Sequence, residues 1–87
     1  MAYEFIISPD AKKQLRELEP SIARRIVKKL TWISQQDYPL RFAMPLHHFS
    51  IGDIRFRIGD YRVIADVDEK KKKIAVVSVG HRRDIYR

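Results

Sequence analysis

Ile54-Arg55-Phe56-Arg57-Ile58-Gly59-Asp60-Tyr61-Arg62-Val63 is the stretch whose reading decides the fold. Its first five residues alternate apolar with basic, the period of a strand with one buried face. Gly59-Asp60 makes a tight link, although the usual hairpin dipeptide has the opposite order. Alternation resumes at once. Tyr61, Val63, Ala65 and Val67 form an apolar set, and Arg62, Ile64 and Asp66 form the other. A further strand is predicted from Ile74 to Val79, after a turn over Asp68 to Lys73. Short links and period-two patterning imply an antiparallel meander of three strands.

Towards the N-terminus, Asp37 to Phe49 is the least periodic stretch, and Pro39 and Pro45 break it. Leu40, Phe42, Met44, Leu46 and Phe49 are expected to anchor it to the core. A helix is predicted from about Ser21 to Gln35. Ile22, Ile26, Leu30 and Ile33 form its stripe, Ala23 and Val27 widen it, and Arg24, Arg25, Lys28 and Lys29 make the other face basic. Glu19-Pro20 separates it from an earlier helix that carries Ala11, Leu15 and Leu18. That helix begins with Ser8 as cap and Pro9 at the first helical position. Tyr3 to Ile7 reads as a first strand. The order is strand, two helices, three strands. It implies an α+β fold, a single domain over residues 1–87, with two N-terminal helices packed on one face of a small twisted antiparallel sheet. The other sheet face is left for function.

Composition narrows the chemistry. There are 87 residues, and 45% of them are apolar, enough for a small core. There is no cysteine, which excludes disulfides, thiolate zinc sites and thiol nucleophiles and fits a reducing cytoplasm. No secretory leader or membrane-length apolar run is visible. The formal charge of +7 favours a polyanionic partner, although excess lysine also serves solubility.

Arg55 and Arg57 lie two apart in a strand and so share a face, and Arg62 joins them across the turn. Three guanidiniums there make a phosphate clamp; the alternative is a solvated strand face paired with Asp53, Asp60 and Asp66. His81, Arg82 and Arg83 follow the last strand after Gly80. His81 can exchange a proton near neutral pH, or only contact phosphate, or be incidental. Tyr86 is a docking aromatic, a stacking platform, or a base whose phenol pKa falls among arginines. His47-His48 lacks the acidic partners and spacing of a metal site, and no metal or cofactor is expected. Walker, GxGxxG and Ser-His-Asp patterns are absent. Lys70 to Lys73 reads as a solvated turn.

With these residues in hand, the chain resembles the RelE toxin family, within the RelE/ParE group of type II toxin–antitoxin systems. The resemblance spans nearly the whole length. Its specific blocks are Gly59-Asp60-Tyr61-Arg62-Val63-Ile64 and Ser78-Val79-Gly80-His81-Arg82-Arg83-Asp84-Ile85-Tyr86. The Tyr3-Glu4-Phe5 start and Ala11, Leu15 and Leu18 are weaker signals. The resemblance implies a metal-independent endoribonuclease that cuts mRNA in the ribosomal A site. The ribose 2′-hydroxyl attacks the adjacent phosphate and leaves a 2′,3′-cyclic phosphate and a 5′-hydroxyl. It implies a RelB-like antitoxin as partner, with operator DNA bound only through the antitoxin complex, and no membrane.

Carried over by position, Arg62 holds the scissile phosphate and its developing charge, and Arg82 acts near the leaving oxygen. Tyr86 aligns or deprotonates the 2′-hydroxyl. Arg55 and Arg57 grip phosphates and lower the phenol pKa, and Arg83 adds a phosphate contact. The best-known member of the family has lysines at the positions of Arg55 and Arg57, so the arginines here act by charge alone. It also has lysine at the position of His81, which makes His81 a candidate for the missing proton transfer. Two other readings stand beside this one. ParE-like gyrase poisons share the fold but generally lack the arginine and C-terminal tyrosine cluster. A non-catalytic RNA-binding or antitoxin-binding module is the third.

Overall fold

Ser8 and Pro9 start the first helix as the sequence requires. In the computed structural model, which describes residues 3–45 and 54–83, the Ser8 hydroxyl accepts the N–H of Ala11 at 3.1 Å. Pro9 occupies the first turn, and α1 runs over Pro9–Glu17. Asp10 in its first turn and Arg16 in its last complement the macrodipole. Leu18 and Glu19 turn extended before Pro20, as residues ahead of proline tend to do. Pro20 then opens α2, Pro20–Ser34.

Among the described residues, five strands make one sheet: β1 (Glu4–Ile7), β2 (Ala43–Pro45), β3 (Ile54–Ile58), β4 (Tyr61–Asp68) and β5 (Lys73–His81), in the order β1-β5-β4-β3-β2. β2 to β5 are antiparallel neighbours, so the expected meander is present. β1 adds to the outer side of β5 in parallel, with Phe5 beside Ile74. β2 was not visible in the sequence. A single 3₁₀ turn, Pro39–Phe42, leads into it.

The helices cover one face of the sheet. Ala11, Leu15, Ile26, Leu30 and Ile33 meet Phe56, Ile58, Val63, Ala65, Ile74, Val76 and Val79 in one buried cluster. Phe5 and Phe56 touch edge-to-face at 5.6 Å between centroids, although β5 and β4 lie between their strands. Flat spacing would hold those strands about 14 Å apart, so the sheet curls around the helical layer. Three apolar expectations fail. Val27, Phe42 and Met44 are 40%, 39% and 47% exposed. Val27 lies off the stripe of Ile26, Leu30 and Ile33. Phe42 rests on Trp32 at 5.2 Å instead of entering the core. Leu40 does pack on the core, whereas Leu46 and Phe49 lie outside the described residues.

One irregularity determines which way the C-terminal end of the sheet faces. The β4–β5 register shifts between Ile64 and Ala65: Ala65 pairs with Val76, but Ile64 pairs with Ser78. Val76 and Val79, three apart, therefore both face the core. From α1, the Gln14 side-chain oxygen accepts the N–H of Val79 at 2.6 Å, so a helix side chain supplies an acceptor where the ladder is disturbed.

Candidate RNA interface

The face of the sheet away from the helices carries the arginines. Phe56 and Ile58 are buried in the core, so Arg55 and Arg57 point outward from β3. Arg62 of β4 stands directly opposite Arg57 in the register and shares its face. Arg55 is half-buried opposite Ile64, with its guanidinium 3.9 Å from the Met44 sulfur on β2. Arg55, Arg57 and Arg62 therefore share one face of the sheet. Among the described residues, neither Arg57 nor Arg62 pairs with Asp60 or Asp66.

Arg62 is held in place. Its Nη1 donates to the Tyr61 carbonyl at 3.1 Å and the Gly59 carbonyl at 3.3 Å. The remaining guanidinium donors stay available for an anion. The same turn fixes the start of the C-terminal segment, because the Asp60 carbonyl accepts the backbone N–H of Arg82 at 2.8 Å. Arg82 and Arg83 are exposed beside it. The Gly59-Asp60 turn thus ties the strand arginines to the basic pair after β5.

His81 is placed differently. The shift in β5 sets it opposite Tyr61, while Gly80 lies opposite Arg62. Its ring meets Tyr61 edge-to-face at 5.4 Å, on the helix side of the sheet. Its Nδ1 accepts the N–H of Arg83 at 3.1 Å. The structure therefore puts Arg55, Arg57 and Arg62 on one sheet face, sets the Arg82–Arg83 backbone beside the β3–β4 turn, and turns His81 to the opposite face. Tyr86, His47, His48 and Asp53 lie outside the described residues.

A second basic region was legible only as the polar side of a helix. Among the described residues, β2 pairs with β3 no further than Phe56, so Arg57 and Ile58 have no strand partner on that side. There α2 and the β3–β4 turn enclose a groove of about 980 Å³, lined by Arg24, Arg25, Lys28, Lys29, Trp32 and Arg57 among others.

The comparisons agree with this architecture. Residues 5–86 match a family model described as the ParE toxin of the type II toxin–antitoxin system parDE. Over 87 residues the chain is 30% identical to Toxin RelG of Mycobacterium tuberculosis (strain ATCC 25618 / H37Rv), covering 100% of this chain and 99% of that protein. The chain belongs to the RelE/ParE superfamily of toxins. Among solved structures, it is similar to the RelBE2 toxin–antitoxin complex of M. tuberculosis. The TM-score there is 0.78 at 26% identity, covering 94% of this chain and 100% of that one. The archaeal RelE–RelB complex of Pyrococcus horikoshii OT3 matches with a TM-score of 0.73 at 29% identity, covering 97% and 99% of the two chains. As a RelE/ParE-type toxin, the protein acts within a toxin–antitoxin system. No helix among its described residues is long and apolar enough to cross a membrane.

Proposed function

We propose that this toxin is a ribosome-dependent mRNA endoribonuclease. The observation that carries the reading is the sheet face shared by Arg55, Arg57 and Arg62, with Arg82 held beside it through the Asp60 carbonyl. A phosphate on that face meets several cationic donors at once, and Arg62 is oriented in advance by its bonds to the turn. In the reaction, the 2′-oxygen attacks the adjacent phosphorus while a base takes its proton. The P–O5′ bond breaks, a proton reaches the 5′-oxygen, and a 2′,3′-cyclic phosphate remains. Arg62 and Arg82 stabilise the extra charge on the phosphorane. Tyr86 takes the 2′-proton or aligns that hydroxyl. Arg55 and Arg57 hold neighbouring phosphates, and Arg83 extends their reach. His81, which faces the helix side, serves this chemistry chiefly by fixing the Arg82–Arg83 turn.

The basic face supplies charge but no strong base, so the ribosome must deliver the 2′-hydroxyl in line. Free RNA is then a poor substrate. A RelB-like antitoxin neutralises the toxin, a partnership supported by the RelBE2 and RelE–RelB complexes it resembles; operator DNA is reached only through that complex, in the cytoplasm. The test is purified protein on programmed ribosomes, with mRNA ends mapped by primer extension. A-site cuts that vanish or slow sharply in Arg62→Ala and Tyr86→Phe support the proposal. Intact mRNA beside a folded protein favours the gyrase reading, to which the ParE-named family match also belongs. It would then be checked by supercoiling inhibition.

A further inference from the structure

We infer that the groove between α2 and the β3–β4 turn is a second RNA-binding surface, adjoining the arginine face at Arg57, that grips the backbone of an RNA loop and packs an unpaired base on Trp32. The inference goes beyond the cleavage reading and holds even if the arginine face cuts nothing.

Four of the groove's cations, Arg24, Arg25, Lys28 and Lys29, are exposed on α2, and Arg57 faces them from β3. None of the five forms an ion pair with a carboxylate among the described residues. α2 has no acid in its first turn, and none of its cations lies in the last turn, where the macrodipole would favour one. Arg24 and Lys28 are four apart, as are Arg25 and Lys29, and like charges at that spacing repel. Helix stability therefore does not account for them, whereas an anionic backbone does.

Trp32 distinguishes RNA from a generic anion. It is 43% exposed, braced against Phe42, with the Lys29 ammonium 4.3 Å from its ring centroid. A flat aromatic surface set among phosphate-binding cations is how proteins hold unpaired bases. A peptide of acidic residues alone would use the cations and leave the indole without a role.

Trp32 is the chain's single tryptophan, so the groove carries its own reporter. The experiment titrates a 2′-O-methylated RNA stem-loop into the protein and follows Trp32 emission over a salt series. Methylation blocks 2′-hydroxyl attack, so binding is read whether or not the toxin cleaves. Arg24→Ala/Lys28→Ala is compared with Lys12→Ala/Lys13→Ala, an equal charge loss on exposed positions of α1, and with Arg62→Ala. Circular dichroism confirms that each variant is folded; Arg25→Ala/Lys29→Ala replaces the first pair if it is not. RNA is expected to shift the emission of the wild type. The α2 pair should weaken binding about tenfold near 0.1 M salt and reduce the log–log salt slope by about 1.4, while the other variants keep the Trp32 response. Three results would overturn the inference: equal losses in the α1 and α2 pairs, saturation by RNA without a change at Trp32, or tighter binding of polyglutamate than of RNA at the same salt.

Discussion

Arg57 and Arg62 stand directly opposite one another across β3 and β4, on the face the helices leave open. Like charges at opposed positions in a sheet repel. Arg62 relieves part of this by donating to the carbonyls of Gly59 and Tyr61, but no carboxylate among the described residues neutralises either side chain. On the proposed function, the two side chains would share an anion.

Arg57→Thr removes that repulsion and keeps a good strand former. Stability should rise by about 0.2–1 kcal/mol, read as a higher urea midpoint at low salt, with the gain shrinking as salt screens the wild type. RNA binding should weaken in the same protein. A lower midpoint at every salt concentration would mean that the opposed charges store no repulsion.

Arg62→Lys separates charge from geometry. Lysine keeps the cation but loses the planar fork, which donates to two carbonyls and would leave further donors for the proposed phosphate. Ribosome-dependent cleavage should fall by about 10²-fold, with only a small drop in melting temperature, because lysine can still donate to one of the two turn carbonyls. Wild-type cleavage by this variant would reduce the role of Arg62 to a point charge.

Much of this was written locally. Ser8-Pro9 marks a helix start through its own cap chemistry, and Ile54–Ile58 has the bounds its alternation implies. What the sequence hid depends on partners distant in the chain. β2 is three residues ending in proline, and its pairing with β3 defines it, not its own pattern. β1 lies parallel to β5, a choice that nothing in Tyr3 to Ile7 encodes. Strict alternation along β5 would put His81 beside the arginines; the register shift near Val77 puts it beside Tyr61. The basic side of α2 was plain, but the β3–β4 turn that closes its groove is a tertiary neighbour.

Gln14 supplies an acceptor beside the register shift. Its side-chain oxygen satisfies the Val79 N–H at 2.6 Å, across 65 residues of sequence. Gln14→Ala should cost about 1–3 kcal/mol, the loss for leaving a shielded donor unsatisfied. Gln14→Glu keeps an acceptor and should recover most of it. Hydrogen exchange at Val79 checks the assignment: its amide should lose protection in the alanine variant and keep it in the glutamate one. Unchanged protection in both would mean that another acceptor serves Val79.

Gly59 is where the two basic surfaces meet. Its φ is +59°, and a Cβ there would lie 2.9 Å from Nη2 of Arg25. Gly59→Ala should cost about 1–2 kcal/mol from the left-handed backbone alone. The contact with Arg25 adds little, because the end of a flexible side chain can move aside. Gly59→Asn should cost less, since asparagine tolerates this conformation. A double-mutant cycle of Gly59→Ala with Arg25→Ala tests the split. Coupling near zero in denaturant melts assigns the loss to the backbone, and coupling above about 0.5 kcal/mol assigns it to the crowded guanidinium. The neighbouring Asp60 carbonyl holds the Arg82 N–H, so a turn that relaxes to another type also releases Arg82. Gly59→Ala should therefore lower cleavage by more than its loss of stability explains, measured at a temperature where the variant remains fully folded.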